Sequence, residues 1–365
     1  MKQTEHKKIL VITHQLSRTG APIVLLDMMR AYWRKGYQLE VIAMMDGELR
    51  KDIEEMGVPL KVQEHFLQQS EEFFAYAGGF DFVVANTLIT FEAVHLLKYL
   101  KVPVLWWLHE GRQYFEYFAN VLPDFRTLPP NIHVFSVGHY VQEVIEQLYG
   151  VHTEILHFGV ADSLSHEIRQ TDDKKVRFLT AGTYSRVKAQ DVLAEAIRSL
   201  PEDYLARAEF FFCGNEQMYD ESVFLPVKQL CGEYENVTLL HQLSRRETLA
   251  WMEKCHCLIV PSRVDPIPTV AAEMMMKGNL CLCTDVCGIA HYMKDGVNGF
   301  TAPPDDSCAL ADKIKYVIDY CGELEPLCQA GREVYEKYFS MDVFEKNIME
   351  LAERYVQQKG SKGAK

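Results

Sequence analysis

The chain has 365 residues, of which 48% are hydrophobic and 24% are charged. This length exceeds that of a typical single hydrophobic core and predicts two domains of roughly 170 residues each, with the composition of an ordinary globular protein. A formal net charge of −13 argues against general nucleic-acid binding, because binding to nucleic acid requires a basic surface.

The sequence lacks the signals of membrane insertion and secretion. No apolar stretch reaches the length of about 18 residues that a membrane-spanning helix needs, and no signal-peptide core precedes the first apolar run. The ten cysteines fall between Cys213 and Cys328 without the spacing of a zinc site. We expect buried thiols, which fit a reducing compartment. The protein is therefore expected to be cytoplasmic, and a peripheral contact with the inner face of the membrane is left open.

Apolar runs alternate with amphipathic segments in two successive sets. In the first half we predict strands at residues 9–13, 39–45, 80–86, 102–108, 132–137 and 154–158. In the second half we predict strands at residues 176–181, 209–213, 237–240, 257–260 and 280–283. This alternation predicts an α/β fold of two Rossmann-like, doubly wound parallel-sheet domains. We place their boundary in the polar stretch 163–175, which gives domains at residues 1–165 and 166–340.

The loop after the first strand is the first candidate for ligand binding. Gly20, at a helix start, would let the backbone approach a phosphate or a sugar closely, although a single glycine is weak evidence. Arg18 beside it is either a contact to an anionic ligand or a solvated side chain.

The segment 106–118, WWLHEGRQYFEYF, is the second candidate. His109 and Glu110 follow a strand directly, where side chains reach a ligand site, but a histidine that only caps the strand is the alternative. The aromatic residues beyond them fit an acceptor platform, a membrane-facing patch or ordinary packing, and packing is favoured.

The third candidate follows the strand at 176–181. The strand ends at Gly182, and the next loop carries Arg186 and Lys188, two cations that could neutralise a diphosphate. A solvated basic loop is the alternative reading.

The fourth candidate, PSRVDPIPTVAAEMMMKG at residues 261–278, sets Asp265 and Glu273 on either side of a helix start. Pro266 and Pro268 place Asp265 in a loop, and Thr269 is the predicted N-cap. The loop amides and the helix dipole would favour an anion between the two acids. Alternatively, both acids stabilise the helix start without touching a ligand.

This last segment resembles the signature of the retaining glycosyltransferases of family 4, also called group 1, which use nucleotide sugars and adopt the two-domain GT-B fold. The family pattern is an acid, seven residues and a glutamate, here Asp265 and Glu273, with aspartate in place of the commoner first glutamate. The segment 284–300, TDVCGIAHYMKDGVNGF, matches the turn that follows the next strand in the family.

The resemblance implies roles for individual residues. His109 would contact the transferred sugar, Asp265 would orient the sugar hydroxyls, and Glu273 would hold the ribose. Lys188 matches the lysine that holds the donor diphosphate, and Arg186 is the nearest candidate for an arginine that many members carry beside the strand-end glycine. Backbone contacts to the donor would come from Gly20, Gly182 and Gly214 and from the amides of Ile267, Pro268, Thr269 and Val270.

The resemblance also implies the reaction and its setting. A sugar would pass from a donor such as a UDP- or GDP-sugar to a carbohydrate, lipid-linked or glycan acceptor, in polysaccharide, glycolipid or glycoprotein glycan synthesis. The first domain would be the acceptor side and the second would bind the nucleotide sugar, while a last helix at 341–358 would pack back on the first domain, before a disordered tail at 359–365. Since the chain has no Asp-x-Asp pair, we expect no metal and no other cofactor.

Two other functions fit the same architecture. A sugar-nucleotide epimerase would bind the same donors but need no acceptor. A catalytically degenerate GT-B partner subunit would retain the fold without turnover. A phosphorylase is disfavoured because it would need a lysine-bound pyridoxal phosphate and a longer chain.

Overall fold

The computed structural model describes residues 7–164, 175–216 and 219–362. The chain divides into two units, of which the first runs to Gly159 and resumes at Met341, and the second spans Val160 to Ser340. The passage into the second unit lies just before the polar stretch 163–175 in which we placed the boundary, and residues 165–174 of that stretch lie outside the described residues.

In the first unit, residues 7–159 contain seven parallel strands that form one sheet in the order β3-β2-β1-β4-β5-β6-β7. The strands are β1 (Lys8–Gln15), β2 (Gln38–Met45), β3 (Leu60–Val62), β4 (Phe82–Asn86), β5 (Val104–Leu108), β6 (Ile132–Ser136) and β7 (Glu154–Ile155). The helices are α1 (Gly20–Arg34), α2 (Arg50–Glu55), α3 (Ser70–Ala77), α4 (Phe91–Leu97), α5 (Arg112–Tyr117) and α6 (His139–Tyr149). The central strands are continuous apolar runs because parallel sheets are covered on both faces.

In the second unit, the described residues contain six parallel strands in the order β10-β9-β8-β11-β12-β13. The strands are β8 (Val176–Ala181), β9 (Ala208–Cys213), β10 (Val237–Leu239), β11 (Cys257–Val260), β12 (Leu280–Thr284) and β13 (Phe300–Ala302). The helices are α7 (Gln190–Arg198), α8 (Glu202–Ala206), α9 (Glu221–Glu233), α10 (Arg245–Lys254), α11 (Thr269–Met276), α12 (Ser307–Tyr320) and α13 (Glu325–Val334). The two sheets confirm the predicted alternation of strands and helices.

The strand order places a switch point at the centre of each sheet. Successive strands are added outward in one direction from β1 and then in the other direction from β4, and the same change occurs between β8 and β11. Loops that leave neighbouring strands at such a point turn to opposite faces, which opens a crevice at the carboxyl ends of the strands.

The last helix, α14 (Met341–Lys362), returns the chain to the first unit. The Tyr32 hydroxyl donates to the Ile348 carbonyl at 3.1 Å, and the Phe82 and Tyr355 rings lie 5.8 Å apart. The predicted helix end at residue 358 is wrong, because the helix continues through residues that were expected to be disordered. Once a helix exists, each added residue gains a backbone hydrogen bond without a new nucleation cost. Residues 363–365 lie outside the described residues.

The ten cysteines are thiols rather than disulfides in the described chain. Seven of them are buried, as expected, but Cys308 is exposed. Within the described residues, no helix is both long enough and apolar enough to cross a membrane.

Candidate functional site

The candidate site of the second unit lies at the switch point between β8 and β11, which pair as neighbours in the sheet. Residues 182–189 lead from β8 into α7, and residues 261–268 lead from β11 into α11. Two of the segments that the sequence singled out therefore leave the sheet side by side, at the position where doubly wound sheets bind ligands.

Lys188 and Asp265 form an ion pair at this point. Lys188 Nζ lies 2.5 Å from Asp265 Oδ2, and Asp265 is only 6% exposed. Burial disfavours the ammonium, but the charge and the hydrogen bond of Asp265 outweigh it and hold the pKa of Lys188 above its usual value. The structure thus brings together two predicted site residues that are 77 positions apart.

The backbone of Asp265 is anchored to the segment 284–300. The Asp265 carbonyl accepts a hydrogen bond from the Gly288 amide at 2.8 Å, and Asp265 and Cys287 form an isolated parallel bridge. The two stretches on which the family resemblance rests are therefore in direct contact.

Glu273 is held by Arg245, a residue that the sequence analysis did not single out. Arg245 Nε donates to Glu273 Oε1 at 2.8 Å, and Glu273 is 5% exposed. Arg245 is the first residue of α10, directly after a capping box between Ser244 and Glu247. The Ser-x-x-Glu pattern would have predicted this helix start, but nothing local shows that the guanidinium reaches a glutamate 28 residues away.

The start of α11 differs from the prediction. Thr269 is the first helical residue, and the N-cap is Pro268, so the expected Thr269 cap is wrong. Proline has no backbone N–H, which removes Pro268 from the predicted row of amide donors and leaves Ile267, Thr269 and Val270. Proline directly before a helix is well tolerated, since the first N–H groups of a helix have no intrahelical partner.

Arg186 lies on an exposed part of the loop, and its carbonyl accepts from Arg263 Nη1 at 2.8 Å. In the part of the chain that the structure describes, its guanidinium forms no ion pair with Asp265. Arg263 was missed by the sequence analysis: it pairs with Asp191 at 2.6 Å, and its amide donates to the Val187 carbonyl at 2.8 Å. Arg263 therefore fixes the loop that carries Lys188.

Gly182 and Gly214 lie against each other at the ends of β8 and β9. A methyl group added at Gly214 would lie 2.2 Å from the Gly182 carbonyl oxygen, and Gly182 has φ +154. Close backbone packing thus accounts for the glycine at position 214.

Ala189 adopts the left-handed conformation, with φ 53 and ψ 37, directly after Lys188. An alanine there costs roughly 1 kcal/mol relative to the right-handed region.

Ala189→Gly is therefore expected to change the free energy of unfolding by less than about 1 kcal/mol. Relief of backbone strain stabilises the folded state, while loss of the buried methyl group and the larger conformational entropy of the unfolded chain act against it. The matched control is Ala194→Gly within α7, because Ala189 and Ala194 are both fully buried. There the loss of helix propensity and of the methyl group should cost about 2 kcal/mol. Urea unfolding of both variants measures the difference, and equal losses would contradict the strain at Ala189.

The first unit gathers five polar side chains at its own switch point, here called the strand-end cluster: His14, Asn86, Thr87, His109 and Glu110. They lie at the carboxyl ends of β1, β4 and β5. Thr87 Oγ1 lies 3.1 Å from His14 Nδ1, and Asn86 Oδ1 lies 2.9 Å from His109 Nε2. Of these residues, the sequence analysis identified His109 and Glu110.

The Asn86 amide fixes the tautomer of His109. Asn86 Nδ2 donates to the Ala21 carbonyl at 3.2 Å, and a carbonyl oxygen can only accept. The Asn86 Oδ1 therefore faces His109, so the neutral imidazole carries its proton on Nε2. His109 Nδ1 keeps its lone pair as a hydrogen-bond acceptor.

Thr87 is held in a backbone conformation that is normally restricted to glycine, with φ 79 and ψ 158. Such a conformation costs about 1–3 kcal/mol and persists only where the surroundings enforce it. The Thr87 amide donates to the Trp107 carbonyl at 2.8 Å, and Trp106 Nε1 donates to the Thr87 carbonyl at 2.9 Å.

Burial sets the protonation of the strand-end cluster. It lowers the pKa of His14 to about 4, and burial together with the charge of His14 lowers the pKa of His109 to about 3. Burial also raises the pKa of Glu110 to about 7, against the opposing effect of its hydrogen bonds. Both imidazoles are therefore neutral at pH 7.

Gly20 and Arg18 are both candidates for contact with a ligand in the loop after β1. Apart from its chain neighbours and the backbone of its own helix, no heavy atom of the described residues lies within 4 Å of a methyl group built at Gly20, so space is open beside the start of α1. Arg18 forms an ion pair with Asp52 at 2.6 Å. Its guanidinium therefore has a protein partner, which neither of the two interpretations of Arg18 considers.

The aromatic segment is divided between core and surface. Trp106 and Trp107, which lie in β5 before His109, are fully buried. Of the aromatic residues beyond Glu110, for which packing was favoured, Phe115 is fully buried, whereas Tyr114 is 44% and Tyr117 80% exposed.

Lowering the pH from 7 to 5 is expected to destabilise the first unit through His14. Its folded pKa of about 4 lies below the ordinary value of 6.5, so the unfolded state binds more protons between these values and stability falls with pH. The effect is about 2 kcal/mol for one histidine with this shift. His14→Gln should reduce the pH dependence of chemical unfolding by that amount, whereas His152→Gln, at a side chain that is 72% exposed, should leave it unchanged. Equal pH dependence in wild type and His14→Gln would contradict the assignment.

Within the described residues, no group of three or more His, Cys, Asp or Glu side chains comes together in a way that could hold a metal ion.

Comparison with known proteins covers both halves of the chain. Residues 163–333 match the family described as glycosyl transferases group 1, and residues 5–168 match glycosyl-transferase family 4. An uncharacterised glycosyltransferase of Methanocaldococcus jannaschii is 26% identical over 246 residues, which cover 67% of this chain and 63% of that protein. The match thus spans less than two thirds of that relative's length.

Solved structures with similar folds extend over nearly the whole chain. HepE of Anabaena, in complex with UDP and glucose, has a TM-score of 0.77 at 19% identity and covers 96% of this chain and 100% of its own. A glycosyltransferase of Rickettsia africae has a TM-score of 0.79 at 14% identity and covers 96% and 99%. These likenesses confirm the predicted GT-B fold of two Rossmann-like domains.

Proposed function

Because the chain belongs to the family 4, group 1 glycosyltransferases, we propose that it moves a sugar from a nucleoside-diphosphate sugar to an acceptor hydroxyl with retention of the anomeric configuration. The observation that carries the proposal is the Lys188–Asp265 pair at the switch point of the second sheet. A partly buried cation and a buried acid at the position where such sheets bind nucleotides fit a diphosphate and a sugar together. The UDP and glucose bound to HepE are in keeping with this class of donor.

The proposed roles follow from charge. Lys188 and the amides at the start of α11 stabilise the negative charge that grows on the departing diphosphate. In the absence of a donor, Asp265 neutralises Lys188, so the diphosphate must share the ammonium while the sugar hydroxyls donate to Asp265. Glu273, oriented by Arg245, accepts hydrogen bonds from the ribose hydroxyls.

The remaining roles are proposed on the same basis. Arg186 reaches the diphosphate from the exposed loop, and His109 contacts the sugar through the acceptor atom Nδ1. Lys188 supplies positive charge that a metal ion would otherwise provide, so we propose metal-independent transfer without another cofactor. The acceptor is a carbohydrate, a lipid-linked glycan or another glycan, in a cytoplasmic setting with peripheral membrane contact.

A thermal-shift screen of UDP, GDP, dTDP, ADP and CMP, and of their sugar conjugates, tests the donor class. One nucleoside diphosphate is expected to raise the melting temperature selectively, with about 2.7 kcal/mol of stabilisation at a hundredfold excess over its Kd. The shift should survive EDTA if no metal is needed. Stabilisation by none of them would overturn the proposal in favour of a partner subunit, and sugar epimerisation without an acceptor would favour an epimerase.

Lys188→Ala and Glu273→Ala are each expected to lower transfer by at least about 100-fold, since each removes a charged contact to the donor. Release of the nucleoside diphosphate from the donor found in the screen measures the loss. Lys313→Ala and Glu233→Ala are matched controls, because these residues form ion pairs of similar length outside the site: Lys313 with Asp295 at 2.7 Å and Glu233 with Arg198 at 3.0 Å. Full activity in either site variant would remove the site assignment.

A further inference from the structure

Glu110 makes a double contact with the backbone that the transfer reaction as proposed does not use. Its Oε1 accepts from the Leu88 amide and its Oε2 accepts from the His109 amide, each at 2.9 Å. Leu88 follows β4 and His109 follows β5, so one carboxyl group joins the ends of two neighbouring strands. We propose that Glu110 is a positioning residue of the sugar-transfer reaction, which holds the His109 imidazole in place by joining the loops after β4 and β5. This inference rests on the proposed function.

The contacts lead from Glu110 to the imidazole along two routes. On its own loop, Glu110 fixes the backbone amide of His109. On the other loop, it fixes the Leu88 amide and thereby restrains the preceding residue, Thr87, whose backbone is strained at φ 79. Directly before Thr87 stands Asn86, whose Oδ1 contacts His109 Nε2. Both the backbone and the ring of His109 thus depend on the position of one carboxyl group.

The nature of the side chain supports a role beyond ordinary capping. Glu110 is 9% exposed, and a buried carboxylate is costly even when it is hydrogen-bonded. A carboxylate also offers two acceptor oxygens in a fixed fork, which suits two converging amides. A relaxed Thr87 would shift Asn86, and a misplacement of about 1 Å at a reacting group costs up to about 100-fold in rate.

Asn131 provides a control of the same design. It is 7% exposed, and its Nδ2 donates to the Leu97 and Val102 carbonyls, both at 3.1 Å, before the amino end of β5. Asn131 thus joins backbone groups of two segments, as Glu110 does, but at the opposite end of the strand from His109. A purely structural role for Glu110 predicts that the two residues behave alike.

The test compares Glu110→Gln with Asn131→Ala in the full chain. Glutamine keeps the shape but replaces one acceptor with an NH2 group that faces an amide N–H. We expect Glu110→Gln to lower kcat by about 10- to 100-fold, with the donor KM and the nucleoside diphosphate-induced thermal shift unchanged. Asn131→Ala should lose stability with kcat unchanged. The probe is the nucleotide sugar whose nucleotide stabilises the wild-type protein.

A spectroscopic measurement separates failure of this inference from failure of the proposed function. The nitrogen NMR signals of the His109 ring report its Nε2–H tautomer and its hydrogen bond to Asn86. They should shift in Glu110→Gln and stay unchanged in Asn131→Ala. Unchanged ring signals with unchanged kcat in Glu110→Gln would overturn the positioning role, as would equal losses of kcat in both variants. Wild-type protein that releases no nucleotide would instead overturn the proposed function, and the role in transfer with it.

Discussion

The parallel arrangement of the two sheets is the constraint on which the rest of the structure depends. Parallel strands with helical crossovers send every following loop to the same edge of the sheet, and a change of strand order opens that edge between two central strands. Lys188 and Asp265 meet because β8 and β11 are neighbours at such a point. The strand-end cluster forms for the same reason at β1, β4 and β5. The sites are therefore consequences of topology before they are consequences of any particular side chain.

Both sites contain features that are energetically unfavourable in a folded chain, namely buried charges and a strained backbone. A buried ion pair contributes little net stability, yet removal of either partner leaves an uncompensated charge. Asp265 and Glu273 are almost completely buried, each with a cation as its partner, and Thr87 keeps a backbone conformation that most residues avoid. Unfavourable local features of this kind persist where the surrounding structure enforces them, and they concentrate at functional sites. Their coincidence with the switch points is physical support for the assignment of both sites.

The sequence predicted the long apolar strands and the longer helices well, because hydrophobic periodicity is a local signal. It missed β3 and β13, which have three residues each and lie at a sheet edge. It also missed Arg245 and Arg263, because a long side chain finds its partner through the tertiary fold, across 28 residues for Glu273 and 72 for Asp191. The conformation of Thr87 left no trace in the sequence, since threonine is rare at positive φ. The sequence thus identified the individual acids and cations Asp265, Glu273 and Lys188. Which of them form ion pairs, and where the backbone is strained, became clear only from the three-dimensional structure.

The distribution of thiols gives the protein a built-in reporter of local opening. All ten cysteines belong to the second unit, and burial raises the pKa of Cys281 and of Cys287 above the ordinary thiol value. An alkylating reagent reacts with thiolates, so these two side chains do not react until the second sheet separates from its helices. Cys308 is exposed and sets the rate of an unprotected reference within the same molecule. The ratio of the labelling rates of the buried thiols and of Cys308 measures the free energy of opening around the Lys188–Asp265 pair. Because the first unit has no cysteine, it adds no background to this measurement.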